Sequence, residues 1–218
     1  MNVDDVKEVT QSNEDKLISI FLRQKELMEK YHTIEEKAGV GYGLLAGRVF
    51  HLDDQRSQEL CKNFAWRISE ELAESFEAGL QDDIHHAKEE LADALHFLVE
   101  LWIICGIDPA DVFNTGDNRD LLDVAFAMAK ESCDHRDPFE VDYWKVVLPL
   151  GLAMNCLKQK PWKQTHISTD SLKFKAFLVE ALIRLFGVMY SQGMTPNECF
   201  SYYFKKSKVN EFRQETNY

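Results

Sequence analysis

The apolar positions of the chain recur with a helical period over long segments, and two-residue alternation is never sustained. Residues 1–12 read as a polar tail, and Ser12 with Asp15 forms a capping arrangement for a helix of about residues 14–37. Gly39, Gly41, Gly43 and Gly47 mark a connector. No strand precedes them and no Gly-Lys-Ser/Thr follows, so they are not read as a phosphate-binding turn. A second helix is predicted over about 54–79, and Asp82-Asp83 caps a third over about 84–105. Gly106 stands where a left-handed stop belongs, and Asp108-Pro109 starts a short helix with the Asp as cap. Further helices are predicted at about 119–132, 139–158, 169–192 and 196–208. With 10 Gly and 5 Pro among 218 residues, the fold class is all-α, a helical bundle in a single domain.

One stretch is repeated. Gly106-Ile-Asp-Pro-Ala-Asp-Val-Phe113 is echoed by Gly193-Met-Thr-Pro-Asn-Glu-Cys-Phe200, and the same offset aligns Asp93-Ala94-Leu95 with Glu180-Ala181-Leu182. The preceding helices correspond loosely, Trp66 to Leu80 against Trp144 to Lys158. This pattern points to an internal duplication. The first half covers about 13–113 and carries the acids. In the second, about 119–208, Pro149, Leu150 and Leu152 fall where the first has Glu71, Leu72 and Glu74, so that half is degenerate.

Those acids are the sharpest chemical feature. Glu71-Leu-Ala-Glu74 is followed by Glu90-Leu-Ala-Asp93. Residues three apart are neighbours on one helical face, so two such pairs on antiparallel helices can direct four carboxylates into one space. Such crowding demands a neutralising partner, and a hard divalent cation such as Mg²⁺ suits carboxylate oxygens. At roughly 100° per residue, Glu90, Asp93, Phe97 and Ile104 share one stripe of a helix that is apolar almost all round. Glu90 and Asp93 are therefore expected against the core, where an unpaired carboxylate is costly. Glu71 borders the apolar face of its own helix, and Glu74 points further away. A solvated acidic face is the alternative reading of each pair.

Composition narrows the rest. The charge sum of −12, with no long basic block, argues against nucleic acid and membrane surfaces as partners. The longest apolar stretch, Ala94 to Ile107, is too short to span a bilayer and contains His96 and Glu100. The acidic amino terminus lacks a targeting pattern, so an intracellular protein is expected. Five scattered cysteines without a Cys-x-x-Cys pair read as reduced thiols. A ferritin-like di-iron centre fails, because only Glu29-x-x-His32 has the required Glu-x-x-His form. His85-His86 reads as surface, and no Ser or Cys carries a nucleophile signature.

The carboxy-terminal run from Lys205 to Tyr218 is net positive and rich in hydrogen-bond donors. It is either a polar tail or, beside a metal-binding acidic cluster, a phosphate clamp.

Together these residues resemble the all-α nucleoside triphosphate pyrophosphatase superfamily, which includes MazG-like proteins. Glu90-Leu-Ala-Asp-Ala-Leu-His-Phe97 is similar to the Glu-x-x-Asp-x-x-His-Phe segment of its dimeric dUTPase branch and of related phage dCTP/dUTP pyrophosphatases. Lys206-x-x-x-Asn210-x-Phe-Arg213-Gln214-x-x-x-Tyr218 resembles the closing motif of that branch, and Gln24-x-x-Leu27 resembles its first-helix motif. The motifs cover both ends and the middle of the chain; about 114–192 match only through the repeat. The resemblance implies that Glu71, Glu74, Glu90 and Asp93 bind two or more Mg²⁺ ions, with Mn²⁺ as a substitute, and that Glu71 also deprotonates the attacking water. Lys206, Asn210, Arg213 and Tyr218 would hold phosphates or sugar, with Gln24 near the base.

The implied activity is conversion of dUTP and/or dCTP to the monophosphate and pyrophosphate, by a cytoplasmic homodimer of phage type. The chain departs from the motifs at Met28, Ser207 and Asn217. If the Asn replaced by Met28 reads the base edge, uracil specificity is relaxed toward dCTP or an altered pyrimidine. The competing expectations are a pyrophosphatase for another or modified nucleotide, and a non-catalytic helical binding module.

Overall fold

The computed structural model describes residues 14–38, 50–133, 138–159 and 165–216. Among these, eight helices and no strands occur: α1 (Lys16–Ala38), α2 (Gln55–Leu80), α3 (Ile84–Ile104), α4 (Pro109–Phe113), α5 (Leu121–Glu131), α6 (Phe139–Cys156), α7 (Ser171–Ser191) and α8 (Pro196–Glu215). The all-α expectation holds, and seven of the eight helices follow their predicted bounds closely. The last runs seven residues past its predicted end, to Glu215. The Gly39–Gly47 connector and Ser12 lie outside the described residues.

Local chemistry sets the boundaries. Asp54, Asp83, Asp108, Asp120 and Asp170 each accept a hydrogen bond from a first-turn amide of the helix they open. Thr195 and Glu198 close a reciprocal capping box on α8. Asp15 accepts from the Ile18 amide at 3.0 Å and from the Leu121 amide at 2.6 Å, while Asp120 accepts from the Lys16 amide at 2.9 Å. Two helix starts thus cap one another.

The repeated motif has repeated geometry. Gly106 and Gly193 sit at φ of 63° and 71°. Past them, the Ile107 amide returns to the Trp102 carbonyl at 3.0 Å and the Met194 amide to the Met189 carbonyl at 2.9 Å. This is the same helix stop in both places, requiring the left-handed backbone that glycine adopts without strain.

The hydrophobic core centres on α3 and α7, which pack on one another and bury most of their lengths. Trp102, Leu98, Leu95, Phe186, Leu182 and Leu178 are inaccessible to solvent. α2 pairs with α3, α6 pairs with α7, and α2 also packs on α6. α1 and α8 lie together against α3. Pro149 and Leu150 of α6 are buried, whereas Leu152 remains 38% exposed. No described helix is long and apolar enough to cross a membrane. All five cysteines are free; Cys61, Cys105 and Cys199 are buried and Cys133 and Cys156 half-buried.

One buried polar strut ties three helices together. The Ser75 hydroxyl of α2 donates to the Ala87 carbonyl of α3 at 2.9 Å, leaving its oxygen to accept from the Tyr143 hydroxyl of α6 at 2.8 Å. Burial holds the Tyr143 hydroxyl above its ordinary pKa, so it remains a donor. Tyr143→Phe removes that donor alone and is expected to lower stability by about 1 kcal/mol, or about 2–4 °C in Tm, measured by thermal unfolding. An unchanged Tm would show the strut to be idle.

Candidate carboxylate–lysine site

α2 and α3 are antiparallel and joined by the short turn Gln81–Asp83, in which Asp82 takes a left-handed φ of 59° that acidic residues tolerate better than most. This hairpin faces Glu71 toward Glu90 and Asp93. Carboxylate oxygens of these three side chains lie within 4.8 Å of one another. Glu90 is buried and Asp93 and Glu71 are half-buried, in agreement with the stripe deduced from helical phase. Glu74 is exposed and stands outside this group, although its charge still bears on Glu71.

The acids bear the marks of crowding. Burial, with a hydrogen bond to Glu90 and the charges of Asp93, Glu90 and Glu74, pushes Glu71 up to about 8. A hydrogen bond between two carboxyl groups needs one proton between them, and at neutral pH that proton is present. Burial raises Asp93 to about 6, even though the Lys206 ammonium sits 2.5 Å away and Arg213 adds a further positive field. Burial disfavours the Lys206 charge, but Asp93, Glu90 and Glu89 more than restore it, raising its pKa. The cluster is therefore an anion-rich pocket with one lysine as its built-in counter-charge.

Oxygens that share one hard cation at about 2.0–2.6 Å must themselves lie within about 5 Å of one another, and Glu71, Glu90 and Asp93 meet this condition. A second group, His86, Glu89 and Glu90, shares Glu90 with the first. Its His86 Nδ1 is 3.2 Å from Glu90 Oε1, and His85 and His86 are both exposed, as expected.

The basic side of the site lies on α8. Lys206, Asn210 and Arg213 occupy positions i, i+4 and i+7 and so form one stripe along that helix. Lys206 is buried, Asn210 half-buried and Arg213 exposed. Tyr218 lies outside the described residues.

Gln24 of α1 occupies a different setting from the one its motif implies. It is 3% exposed, and its amide is spent inside the protein. Its Nε2 donates to Glu100 at 3.1 Å, while its Oε1 accepts from the Tyr203 hydroxyl at 2.6 Å and lies 2.8 Å from His96 Nδ1. His96 stacks on the Tyr203 ring at 3.8 Å between centroids. Burial lowers the His96 pKa to about 3, so the imidazole is neutral. His96 and Tyr203 stand one helical turn from Asp93 and Lys206 respectively, directly beneath that ion pair. Trp66, 65% exposed, donates to Glu70 at 2.6 Å and takes no part in the cluster.

Sequence reasoning missed Tyr203, Ser75 and Tyr143, and it missed the salt bridges between α1 and α8. The Gln24–Tyr203 and Arg23–Glu211 contacts join residues 179 and 188 positions apart, a separation that leaves no local signature.

Fold and site together define an all-α protein in which three clustered carboxylates are met by Lys206 of α8. A family model described as dUTPase matches residues 71–218, more than half of the chain. The chain belongs to this dUTPase family, whose members are nucleoside triphosphate hydrolases. The match begins at Glu71 and spans all four acids and the whole of α8, leaving Gln24 outside it. No curated protein and no solved structure matches the chain.

The folded state holds the Glu71 proton more tightly than an unfolded chain with its ordinary value of 4.5. The stabilisation from that proton is complete below 4.5 and is lost as pH rises through about 8. In metal-free protein, Tm is expected to fall over this interval, and Glu71→Gln is expected to flatten the fall. Parallel Tm–pH profiles for the two proteins would contradict the placement of the proton.

Proposed function

We propose that the protein is a Mg²⁺-dependent pyrophosphohydrolase that converts dUTP and/or dCTP to the monophosphate and pyrophosphate. One observation carries the reading: Glu71, Glu90 and Asp93 converge within 4.8 Å while Lys206 of α8 closes on Asp93 from the other side. Magnesium held by Glu71, Glu90 and Asp93, with Glu74 at the margin, would neutralise phosphate oxygens and lower the pKa of water. Glu71 serves as the base in this reading once a bound cation has displaced the proton it carries in the metal-free protein. Lys206, Asn210 and Arg213 lie in line along α8 to take the phosphate chain, and Tyr218 joins them in this proposal. Gln24 acts in this reading from beneath the site, through Tyr203 and His96, to which its Oε1 is joined.

The proposal extends to a homodimer and to a degenerate second copy of the α2–α3 hairpin in α6–α7. Matching helix stops at Gly106 and Gly193 support the duplication. Glu180, which aligns with Asp93, belongs to no metal-competent cluster among the described residues and pairs with Arg184 at 3.4 Å.

A panel of deoxynucleoside and ribonucleoside triphosphates, incubated with Mg²⁺ and scored for pyrophosphate, is expected to show release from dUTP or dCTP above the others. Glu71→Gln and Asp93→Asn are each expected to reduce kcat by about 100-fold or more. Preference for another nucleotide would redirect the substrate assignment. Absence of pyrophosphate release from every nucleotide, with Mg²⁺ binding unaffected by both substitutions, would leave only a non-catalytic binding module.

A further inference from the structure

We propose that Glu211 is a positioning residue: gripped by Arg23 and Lys30 of α1, it fixes the last turns of α8 so that Asn210 and Arg213 stand in line with Lys206 beside the carboxylates. The inference rests on the phosphate-clamp reading of that stripe and adds the device that holds it in place.

Two faces of α8 carry separate tasks. Lys206, Asn210 and Arg213 form the stripe turned to the acids. Ser207 and Glu211, one turn apart, form another, roughly 100° round the helix. Arg23 spans the second stripe, with Nε donating to Ser207 Oγ at 3.0 Å and its terminal nitrogen to Glu211 Oε2 at 2.7 Å. Its other terminal nitrogen is held by Glu26 at 3.1 Å, so the guanidinium is itself oriented. Lys30, two turns along α1, bonds the second Glu211 oxygen. Both Glu211 oxygens are thus occupied by cations from a single neighbouring helix.

Apolar packing does not account for the order of this segment. Beyond Val209, the only large apolar side chain of α8 among the described residues is Phe212, and it is 42% exposed. The sequence pattern predicts a helix end near 208 for this reason, yet the helix continues to Glu215. What is present along that extension is the clasp. Arg23, with a side chain 15% exposed, uses Glu211 as one of its two carboxylate partners, the other being Glu26. Lys206 and Arg213, the two cations whose charge bears on Asp93, lie on the stripe next to the one the clasp holds.

The test uses full-length protein. In Glu211→Gln, measured without nucleotide or metal, amide hydrogen exchange over residues 209–216 is expected to rise about fivefold, while α3 amides keep their protection. With Mg²⁺ and the preferred nucleotide, KM is expected to rise about fivefold with kcat changed by less than about twofold. Lys30→Gln should shift both in the same direction by less, and Glu211→Asp should restore part of each. Exchange in Glu211→Gln equal to wild type, or a fall in kcat with KM unchanged, overturns the clasp. A wild-type protein that releases pyrophosphate from no nucleotide overturns the functional reading, while the exchange measurement still decides whether Glu211 orders α8.

Discussion

The constraint on which the site depends is the repulsion among carboxylates held close together and half out of water. The core that buries α3 carries Glu90 and Asp93 inward with it, and α2 adds Glu71. Left charged and alone, these groups would force the helices apart. The Lys206 ammonium lies against Asp93, and the raised proton affinity of Glu71 beside Glu90 lets a proton take up part of the remaining charge. Under the proposed function a cation would take the place of the proton, so the compensation that holds the acids together is one a ligand could replace.

Around that pocket, polar contacts fix relative heights of helices where apolar packing would allow sliding. Ser75 lies one turn beyond Glu71 and Ala87 just before Glu90, so their hydrogen bond sets the register of the hairpin beside the acids. The stacked His96 and Tyr203 do the same for α3 and α8 one turn below Asp93 and Lys206. Gln24 joins both to α1. These groups are buried and hydrogen-bonded, and directional bonds specify register more sharply than hydrophobic contact does.

Much of the fold was legible because helix boundaries are written locally: aspartates at starts, glycines at stops, apolar residues at helical spacing. The acid pairs were legible for the same reason, since phase alone placed Glu90 and Asp93 against the core. The end of α8 was not. Its polar composition reads as a fraying terminus, and the ion pairs that extend it come from α1, nearly the whole chain away. Gln24 was legible as a motif position, but its partners Glu100, His96 and Tyr203 come from distant helices and leave no local signature.

The glycine stop after α7 has a further consequence. Gly193 ends α7 abruptly, and Thr195 with Glu198 launches α8 within a few residues. Because α8 begins at the tip of α7 and carries Lys206 near its middle, the position of that ammonium is tied to the packing of α7 on α6. Repacking deep within α6 and α7, remote from any reacting group, would swing the ammonium relative to the carboxylates. The placement of Lys206 therefore depends on helices that carry none of the clustered carboxylates.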